Sequence, residues 1–322
     1  MPKLSLLEHL RGRKNLLAFS YGSDSTALFY LLERENIAFD MALINYKMRI
    51  SSDVEEKEAR NLAKEFHKQI FTQTAPQFKG NFEKNARDFR YAFFEKICLE
   101  KGYENVIVAH QLNDQFEWFL MQLSKGSGVM ELLGMNAFEK RANYTLIRPL
   151  LNVSKEQILT FLKENKIRYF DDESNEDESF KRNFIRKHFS DEFLRHFSKG
   201  VQKSFSFLRK DLKNWGEIEE FKGILICVKN ASLIAKACKK LGVLMSEKQR
   251  KECLKSDCVI GGKIGVVYRG NLAFIFPYES CEKLPKSFKE KCRKLRIPKL
   301  LRPFCFNHQV ELETLSNFGL KK

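Results

Sequence analysis

The sequence predicts an α/β protein built on a doubly wound parallel sheet, with a smaller domain at its C-terminal end. Three observations predict this fold. Five short apolar runs alternate with segments of helical periodicity through the first half of the chain, as in βαβ units whose helices cover both faces of a parallel sheet. From residue 171 this alternation stops. The length of 322 residues, 43% of them hydrophobic and 29 of them Phe, suits two domains with hydrophobic cores.

Each element follows from its apolar pattern. Short apolar runs are expected to be strands, and longer runs with helical spacing are expected to be helices. The predicted strands cover residues 16–20, 42–46, 69–74, 106–110 and 145–148, and the predicted helices cover 25–35, 53–66, 82–101, 112–124 and 155–164. In open sheets of this kind ligands bind at the carboxyl ends of the strands. Ser20, Tyr46 and His110 lie at three such ends, so we expect them to converge on one cleft.

The remainder of the chain has a different pattern of polar and apolar residues. A polar stretch at 171–175 precedes a run with Phe180, Phe184, Ile185 and Phe189 at helix-like spacing. We expect a catalytic domain over 1–200, a helical connector over 201–222 and a C-terminal domain over 223–322. That last domain is predicted to be α+β or helical, with apolar runs at 224–228 and 272–276 and a turn at Gly261-Gly262.

Charge indicates a polyanionic partner. The net charge is +16, which favours nucleic acid over a membrane surface. Segment 283–302 contains nine Lys and Arg residues; RNA backbone contact is expected there, and an ordinary solvated surface is the alternative. Charges interrupt residues 1–13, which argues against a signal peptide, and no segment approaches the roughly 18 apolar residues of a membrane span. We therefore expect a cytoplasmic protein without a membrane partner.

The eight cysteines are expected to be free and largely buried thiols. No Cys-x-x-Cys pair occurs, and seven of the eight cysteines follow residue 220. In a reducing compartment such thiols are most simply packing residues. Cys253 and Cys258 are spaced like half of a metal site, but no matching His or Cys pair accompanies them.

The segment 20–25, Ser-Tyr-Gly-Ser-Asp-Ser, joins the first predicted strand to the first predicted helix. A helix N-terminus presents unpaired N–H groups and a favourable dipole to anions, and the three serines add hydroxyl donors. Asp24 supplies an oxygen ligand suited to Mg²⁺ carried by phosphates. The Gly-Lys-Ser/Thr ending of a Walker loop is missing. The alternative is an ordinary serine-rich turn with Asp24 near the helix N-cap.

A second acidic feature follows the fourth predicted strand. Asp114 and Glu117 lie three residues apart on the helix that begins near Leu112, so they share one face. Two carboxylates there are suited to Mg²⁺ or to a cationic substrate. The alternative is simple capping, because acidic residues are favoured in the first turns of a helix.

These motifs, taken together, resemble one enzyme family. The loop 20–25 resembles the Ser-Gly-Gly-X-Asp-Ser loop of the ATP pyrophosphatases. His110-x-x-x-Asp114-Gln115-x-Glu117 comes next in the chain. Three further motifs follow it: Gly126-Ser127-Gly128, Ile147-Arg148-Pro149-Leu150-Leu151 and Asp172-x-Ser174-Asn175…Arg182-Asn183-x-x-Arg186. That order is similar to the order in tRNA(Ile)-lysidine synthetases, and the resemblance covers residues 15 to about 190.

The resemblance implies the fold of the PP-loop superfamily and a two-step reaction. ATP would adenylate the O2 oxygen of the wobble cytidine in a minor isoleucine tRNA with a CAU anticodon, with release of pyrophosphate. The ε-amine of free lysine would then attack the activated carbon, and AMP would leave. The cofactors implied are ATP and Mg²⁺, the partners are tRNA and free L-lysine, and the C-terminal domain is expected to bind the tRNA.

Site residues carry over by position. The ATP-binding loop is Ser20, Tyr21, Gly22, Ser23, Asp24 and Ser25, with Asp24 as the Mg²⁺ ligand. Asp114 and Glu117 match the acidic pair that would hold the lysine amine or a metal. Arg87, Arg90 and Arg182 match basic positions, where guanidinium groups suit a carboxylate, a phosphate or transition-state charge; a surface ion pair is the alternative for each. The implied catalytic set is Asp24, Arg90, Asp114, Glu117 and Arg182. His110 would contact the nucleotide or support strand packing, and Arg186 would support its helix or touch RNA.

Two positions depart from the family pattern. Tyr21 replaces the first glycine of the loop, where a positive φ would strain it. Tyr46-Lys47-Met48-Arg49 stands where the family commonly has His-Gly-x-Arg. Two alternatives to the lysidine reaction are a tRNA thiolase of the same superfamily and a non-catalytic RNA-binding protein. The first 200 residues contain only Cys98, which disfavours the thiolase, and the joint presence of Asp24, Asp114 and Glu117 disfavours a decayed site.

Overall fold

The computed structural model describes residues 2–47, 52–80, 82–170, 178, 180–214, 216–280 and 283–318. The chain divides into two compact units, Met1–Phe205 and Ser206–Lys322. In the part of the chain that is described, no helix combines the length and the apolar character needed to cross a membrane.

The first unit is organised around a six-stranded sheet. Its strands are β1 (Asn15–Ala18), β2 (Phe39–Asn45), β3 (Ile70–Thr74), β4 (Asn105–Ile107), β5 (Phe138–Lys140) and β6 (Thr145–Ile147). The spatial order is β3-β2-β1-β4-β6-β5, and every neighbouring pair is parallel except β5 with β6. The chain thus turns outward in both directions from β1, so the predicted doubly wound parallel sheet is confirmed. The antiparallel edge strand β5 was not predicted.

Helices cover this sheet. They are α1 (Ser23–Arg34), α2 (Ser52–Glu65), α3 (Phe82–Lys101), α4 (Leu112–Leu123), α5 (Val129–Leu132), α6 (Lys155–Glu164) and α7 (Lys181–Ile185), followed by a π-helical turn (Arg186–Ser190) and α8 (Asp191–Asn214). The predicted helices 82–101 and 155–164 are confirmed at both ends. The polar stretch predicted at 171–175 lies outside the described residues.

The core of the first unit explains why β1 and α1 are fixed. Leu16 and Leu17 of β1 are completely buried on opposite faces of the sheet, as in a strand covered on both sides. Phe29 of α1 contacts Phe39 and Phe66 edge to face at 5.2 and 5.1 Å. Aromatic contacts of this geometry stabilise beyond their buried area. The loop between β1 and α1 is therefore held by a rigid scaffold.

The second unit is an α+β fold, which confirms one of the two predicted alternatives. Its antiparallel sheet contains β7 (Glu219–Phe221), β8 (Ile224–Val228), β9 (Cys258–Ile260), β10 (Ile264–Arg269) and β11 (Leu272–Pro277), in the order β7-β8-β11-β10-β9. Its helices are α9 (Ala231–Lys240), α10 (Glu247–Glu252), α11 (Lys286–Lys294), α12 (Arg302–Asn307) and α13 (Leu312–Asn317). Gly261 and Gly262 form the predicted turn, both with positive φ.

One prediction about this region is wrong. The helix predicted over 201–222 ends at Asn214, and Glu219–Phe221 is a strand. Lys222 and Gly223 have φ of 49° and 79° and form a two-residue hairpin turn into β8, a conformation that reverses the chain. The seven described cysteines are free and six are buried, as expected; burial raises the pKa of Cys227, Cys238 and Cys305 to about 12.

Candidate active site

The phosphate loop lies where the sequence places it, between β1 and α1. Its backbone is tied together by serine hydroxyls: Ser25 Oγ accepts from Ser20 N at 3.2 Å and donates to Gly22 O at 3.1 Å. Gly22 is the N-cap of α1, and no described side chain caps the first turn of this helix. Unpaired N–H groups at a helix N-terminus attract anions. The loop is therefore shaped for phosphate oxygens.

The two departures from the family glycines adopt glycine-like backbone. Tyr21 has φ of 60° and Lys47 has φ of 53°, both in the left-handed region. The loop conformation is thus kept, at a cost of about 1–2 kcal/mol for each residue that carries a Cβ. Tyr21 gains contacts in return, because its ring lies 5.2 Å from the rings of both Phe19 and Phe170.

Asp24 is in the first turn of α1 and pairs with a residue that the sequence argument did not select. Lys155 Nζ donates to Asp24 Oδ1 at 2.7 Å and to Ser23 Oγ at 2.7 Å. Burial raises the pKa of Asp24, the Lys155 ammonium opposes this, and Asp114 adds to it. Lys155 also donates its backbone N–H to Asn113 Oδ1 at 3.1 Å, next to Asp114 in the chain, so one residue connects the phosphate loop to the start of α4.

The acidic pair itself is bound to two arginines. Arg182 Nη2 donates to Asp114 Oδ1 and its Nε to Glu117 Oε2, both at 2.6 Å. Arg186 Nε donates to Glu117 Oε1 at 2.7 Å, and its Nη2 to Glu117 Oε2 at 3.2 Å. Glu117 is completely buried. We call Asp114, Glu117, Arg182 and Arg186 the carboxylate–arginine cluster.

Charge balance in the cluster fixes its protonation. Burial alone would raise the pKa of Asp114, but the Arg182 guanidinium and the backbone N–H of Gln111 more than offset it, so the pKa is lowered. Burial opposes the charge of Arg182, yet Asp114 and Glu117 raise its pKa. The Asp114 carboxylate and the Arg182 guanidinium are therefore ionised together.

His110 belongs to the same region and is neutral. Its Nδ1 accepts from Arg148 Nε at 3.2 Å, which assigns the proton to Nε2. Burial lowers the pKa of His110 to about 3, and the nearby guanidinium groups of Arg148, Arg182 and Arg90 act in the same direction. Arg148 is buried and also donates to Glu139 Oε2 at 3.2 Å. His110 therefore packs at the end of β4 as a polar, uncharged group.

Of the two remaining predicted arginines, Arg90 faces the site and Arg87 is positioned differently. Arg90 Nε donates to Tyr46 Oη at 3.2 Å, so Tyr46, at the departure from the family's histidine, orients this guanidinium. Arg90 also influences His110 electrostatically. Arg87 lies over the ring of Tyr91 at 5.0 Å, a cation–π contact. The turn residues Met48 and Arg49 lie outside the described residues.

A cavity of about 360 Å³ opens beside Tyr21, but it is not the site that the motifs predict. Its lining includes Tyr30, Glu58 and Glu65 and none of the other loop or cluster residues. Its charged lining is mixed, with Lys166 and Arg168 beside the two glutamates. In the described residues no group of three or more His, Cys, Asp or Glu side chains is suited to a metal ion.

Hydrogen bonds thus join Lys155 to the loop 20–25, and Arg182 and Arg186 to the acidic pair, while His110 contacts Arg148 and Arg90 contacts Tyr46. Sequence reasoning missed Lys155 and assigned Arg186 to its own helix or to RNA, whereas Arg186 shares Glu117 with Arg182. The spacing Arg182-x-x-x-Arg186 was the available signal, since residues four apart share a helix face.

Comparisons with known proteins identify the family of this chain. A family profile described as a PP-loop domain matches residues 3–193. The tRNA(Ile)-lysidine synthase of Campylobacter jejuni is 58% identical over 317 residues, covering 98% of this chain and 99% of that protein. The tRNA(Ile)-lysidine synthase of Helicobacter pylori strain J99 is 40% identical over 93% of this chain and 91% of its own length.

Among solved structures, the U34-tRNA thiolase NcsA from Methanococcus maripaludis is similar with a TM-score of 0.52 at 15% identity. This likeness covers 66% of the present chain and 76% of the thiolase, and it concerns the fold alone. The near full-length matches at 58% and 40% identity show that this chain belongs to the tRNA(Ile)-lysidine synthase family of PP-loop proteins.

Proposed function

We propose that this chain ligates free lysine to the wobble cytidine of a CAU-anticodon isoleucine tRNA, with ATP as the source of activation. The observation that carries the proposal is that the phosphate loop follows β1 and the acidic pair of the carboxylate–arginine cluster lies on the helix after β4, the parallel neighbour of β1, with Lys155 hydrogen-bonded to both segments. The first feature suits adenylation of the base, and the second suits the handling of a cationic amine. Family membership supports the same reaction.

ATP would bind at the loop, with its phosphates on the N-terminus of α1 and the hydroxyls of Ser20, Ser23 and Ser25. Mg²⁺ would be held by Asp24 together with phosphate oxygens; one accessible carboxylate among hydroxyls fits an ion that arrives on a nucleotide and not one held by a protein cage. Bound there, Mg²⁺ would neutralise developing phosphate charge.

The cluster would act on lysine. Asp114 is ionised, with Oδ1 accepting from one guanidinium group, that of Arg182, and Oδ2 accepting from the backbone N–H of Gln111 in the capping box of α4. We propose that the lysine amine binds Asp114 Oδ1 beside the Arg182 contact. Both oxygens of Glu117 accept from guanidinium groups, so its contribution would be to hold Arg182 and Arg186 in place beside Asp114. Arg90, Arg87 and Arg182 would contact the tRNA phosphate, the lysine carboxylate or the leaving AMP.

The domains would divide the work. Residues 1–200 would form the catalytic domain, and the second unit, which begins at Ser206 and includes β7, would bind the tRNA. The thiolase alternative lacks a reactive thiol, because Cys98, the one cysteine in the first 200 residues, is buried in the core and burial raises its pKa to about 12.

The test uses full-length protein with ATP, Mg²⁺ and radiolabelled lysine on two transcripts, the minor isoleucine tRNA and the methionine tRNA, which share the CAU anticodon. Digestion to nucleosides should yield labelled lysidine from the first transcript only. An Asp24→Asn variant is the negative control. Absence of the labelled nucleoside from wild-type reactions would refute the proposed reaction.

A further inference from the structure

Lys155 connects the two halves of the candidate site. It is the first residue of α6, and its ammonium lies 2.7 Å from both Ser23 Oγ and Asp24 Oδ1. Its side chain is 33% exposed, so the ammonium is within reach of a ligand at the loop. The motifs that carry the family resemblance do not include this residue.

The backbone of Lys155 is firmly anchored. Ser154 and Gln157 form a reciprocal capping box at the start of α6, which fixes where the helix begins. Lys155 N donates to Asn113 Oδ1 at 3.1 Å, and Asn113, which is buried, donates to Asp191 Oδ1 at 2.9 Å. Lys155 is thereby attached to α4 beside Asp114, while its side chain extends to the phosphate loop.

The ammonium occupies Oδ1 of the Asp24 carboxylate, the group that would hold a divalent cation. Two cations on one carboxylate repel each other strongly in a partly buried site. Phosphate oxygens at the N-terminus of α1 would offer the ammonium a second anion while it keeps its hydrogen bond to Ser23. A lysine ammonium carries three donors and accommodates such an exchange on its flexible stem.

We propose that Lys155 is a phosphate-binding residue of the ATP site, which exchanges its contact with Asp24 for phosphate oxygens when a nucleotide brings its divalent cation. The proposal rests on the ATP-dependent function proposed above. It has a distinctive consequence. Lys155 opposes binding of a divalent cation alone and favours binding of the metal–nucleotide complex, so the nucleotide and the metal bind together.

The experiment measures two affinities on full-length protein. One is that of Mn²⁺ alone, followed by electron paramagnetic resonance, and the other is that of Mg²⁺ with α,β-methylene-ATP, followed by calorimetry. Lys155→Met should bind Mn²⁺ at least about fivefold more tightly, because the competing ammonium is gone. The same variant should bind the metal–nucleotide complex about tenfold or more weakly, because it cannot form the charge-assisted hydrogen bond to phosphate.

Two further variants complete the test. Lys163→Met removes an exposed lysine from the far end of the same helix and should leave both affinities unchanged. Lys155→Arg keeps a cation and should retain weak Mn²⁺ binding. If Lys155 only supported the fold of the site, Lys155→Met would weaken the binding of both Mn²⁺ and the metal–nucleotide complex, or would change neither. Either result would overturn the proposal.

Failure of this proposal differs from failure of the proposed function. If wild-type protein forms lysidine while Lys155→Met matches Lys163→Met in both affinities, only the role of Lys155 is wrong. If Lys155→Met binds Mn²⁺ more tightly and the metal–nucleotide complex more weakly, but wild-type protein forms no lysidine, Lys155 binds phosphate as proposed and the proposed tRNA reaction is wrong.

Discussion

The two units differ in whether they bury charged side chains. Among the described residues of Met1–Phe205, the buried charged ones are Asp114, Glu117 and Arg148, each with a charged or hydrogen-bonding partner. In the described part of Ser206–Lys322 no charged residue is buried. Burial of a charge costs several kcal/mol unless partners offset it, so such groups persist where chemistry requires fixed charges. The difference supports the proposed reaction site in the first unit, and the described charged residues of the second unit lie at or near its surface.

The ion pairs show the same contrast. Glu117, completely buried, accepts from two guanidinium groups. Lys291 and Glu313 in the second unit pair at 2.8 Å with side chains 53% and 60% exposed. Exposed pairs contribute about 0–1 kcal/mol to stability. The first arrangement holds side chains in defined positions, whereas the second leaves its lysine available to an external polyanion.

The largest effect should come from Asp24. Asp24→Ala removes the carboxylate proposed to hold Mg²⁺ and should lower the rate of lysidine formation at least about a hundredfold, as expected for loss of a group that stabilises transition-state charge. Glu164→Ala removes an exposed carboxylate in the same unit and should be neutral. Single-turnover rates measure both. A folded Asp24→Ala protein with near-normal turnover would contradict the ATP assignment.

Glu117 and Glu313 test the contrast between buried and exposed pairs directly. Glu117→Gln leaves Arg182 and Arg186 without their shared carboxylate and should lower the free energy of unfolding by about 3 kcal/mol. Glu313→Gln should change it by less than about 0.5 kcal/mol. Urea unfolding measures both values. Equal small losses would mean that the cluster is more hydrated than its burial indicates.

Substitution of Asp114 should affect the two steps of the reaction unequally. Asp114→Asn should raise the KM for lysine or abolish transfer, because the proposed partner of the amine loses its charge, while pyrophosphate release should survive better. Pyrophosphate release and lysine incorporation are measured in parallel on the same tRNA. Equal loss of both steps would assign Asp114 to the metal instead of the amine.

The surface charge of the second unit should affect tRNA binding alone. Lys291→Glu, Arg293→Glu and Lys294→Glu combined should weaken tRNA binding about tenfold at moderate salt. The slope of log K against log salt should fall by about 0.7–0.9 for each phosphate that the variant no longer neutralises. ATP affinity should not change. The matched control reverses Lys248, Lys251 and Lys255 around α10. If both triple variants bind tRNA equally, segment 283–302 is only a solvated surface.

Local apolar patterns in the sequence predicted most strands and helices of the first unit, because its strands are apolar on both faces and its helices are long and periodic. Strand β5 was missed because Phe138–Lys140 has no apolar pattern and exists only through pairing with β6. The order of the motifs identified the candidate site residues, but it did not predict which of them contact each other. Lys155 is 131 residues from Asp24, and no local pattern encodes that contact. For the hairpin at Lys222-Gly223, the glycine was a sequence signal that indicated a turn.

The smallest effect should come from Tyr21. Tyr21→Gly relieves a left-handed φ of 60° and restores the family residue, but it removes ring contacts with Phe19 and Phe170. Because the loop would bind phosphate through backbone N–H groups, ATP affinity should stay within about threefold of wild type or improve, and stability should change little as the two effects offset. Phe170→Ala is the matched control: it removes one of the same ring contacts without changing the backbone at residue 21, so it should lower stability and leave ATP affinity unchanged. Calorimetry of α,β-methylene-ATP and thermal unfolding measure both variants. If Tyr21→Gly abolishes nucleotide binding while Phe170→Ala does not, the Tyr21 ring itself contacts nucleotide or RNA, and the loop differs from its family in chemistry as well as in sequence.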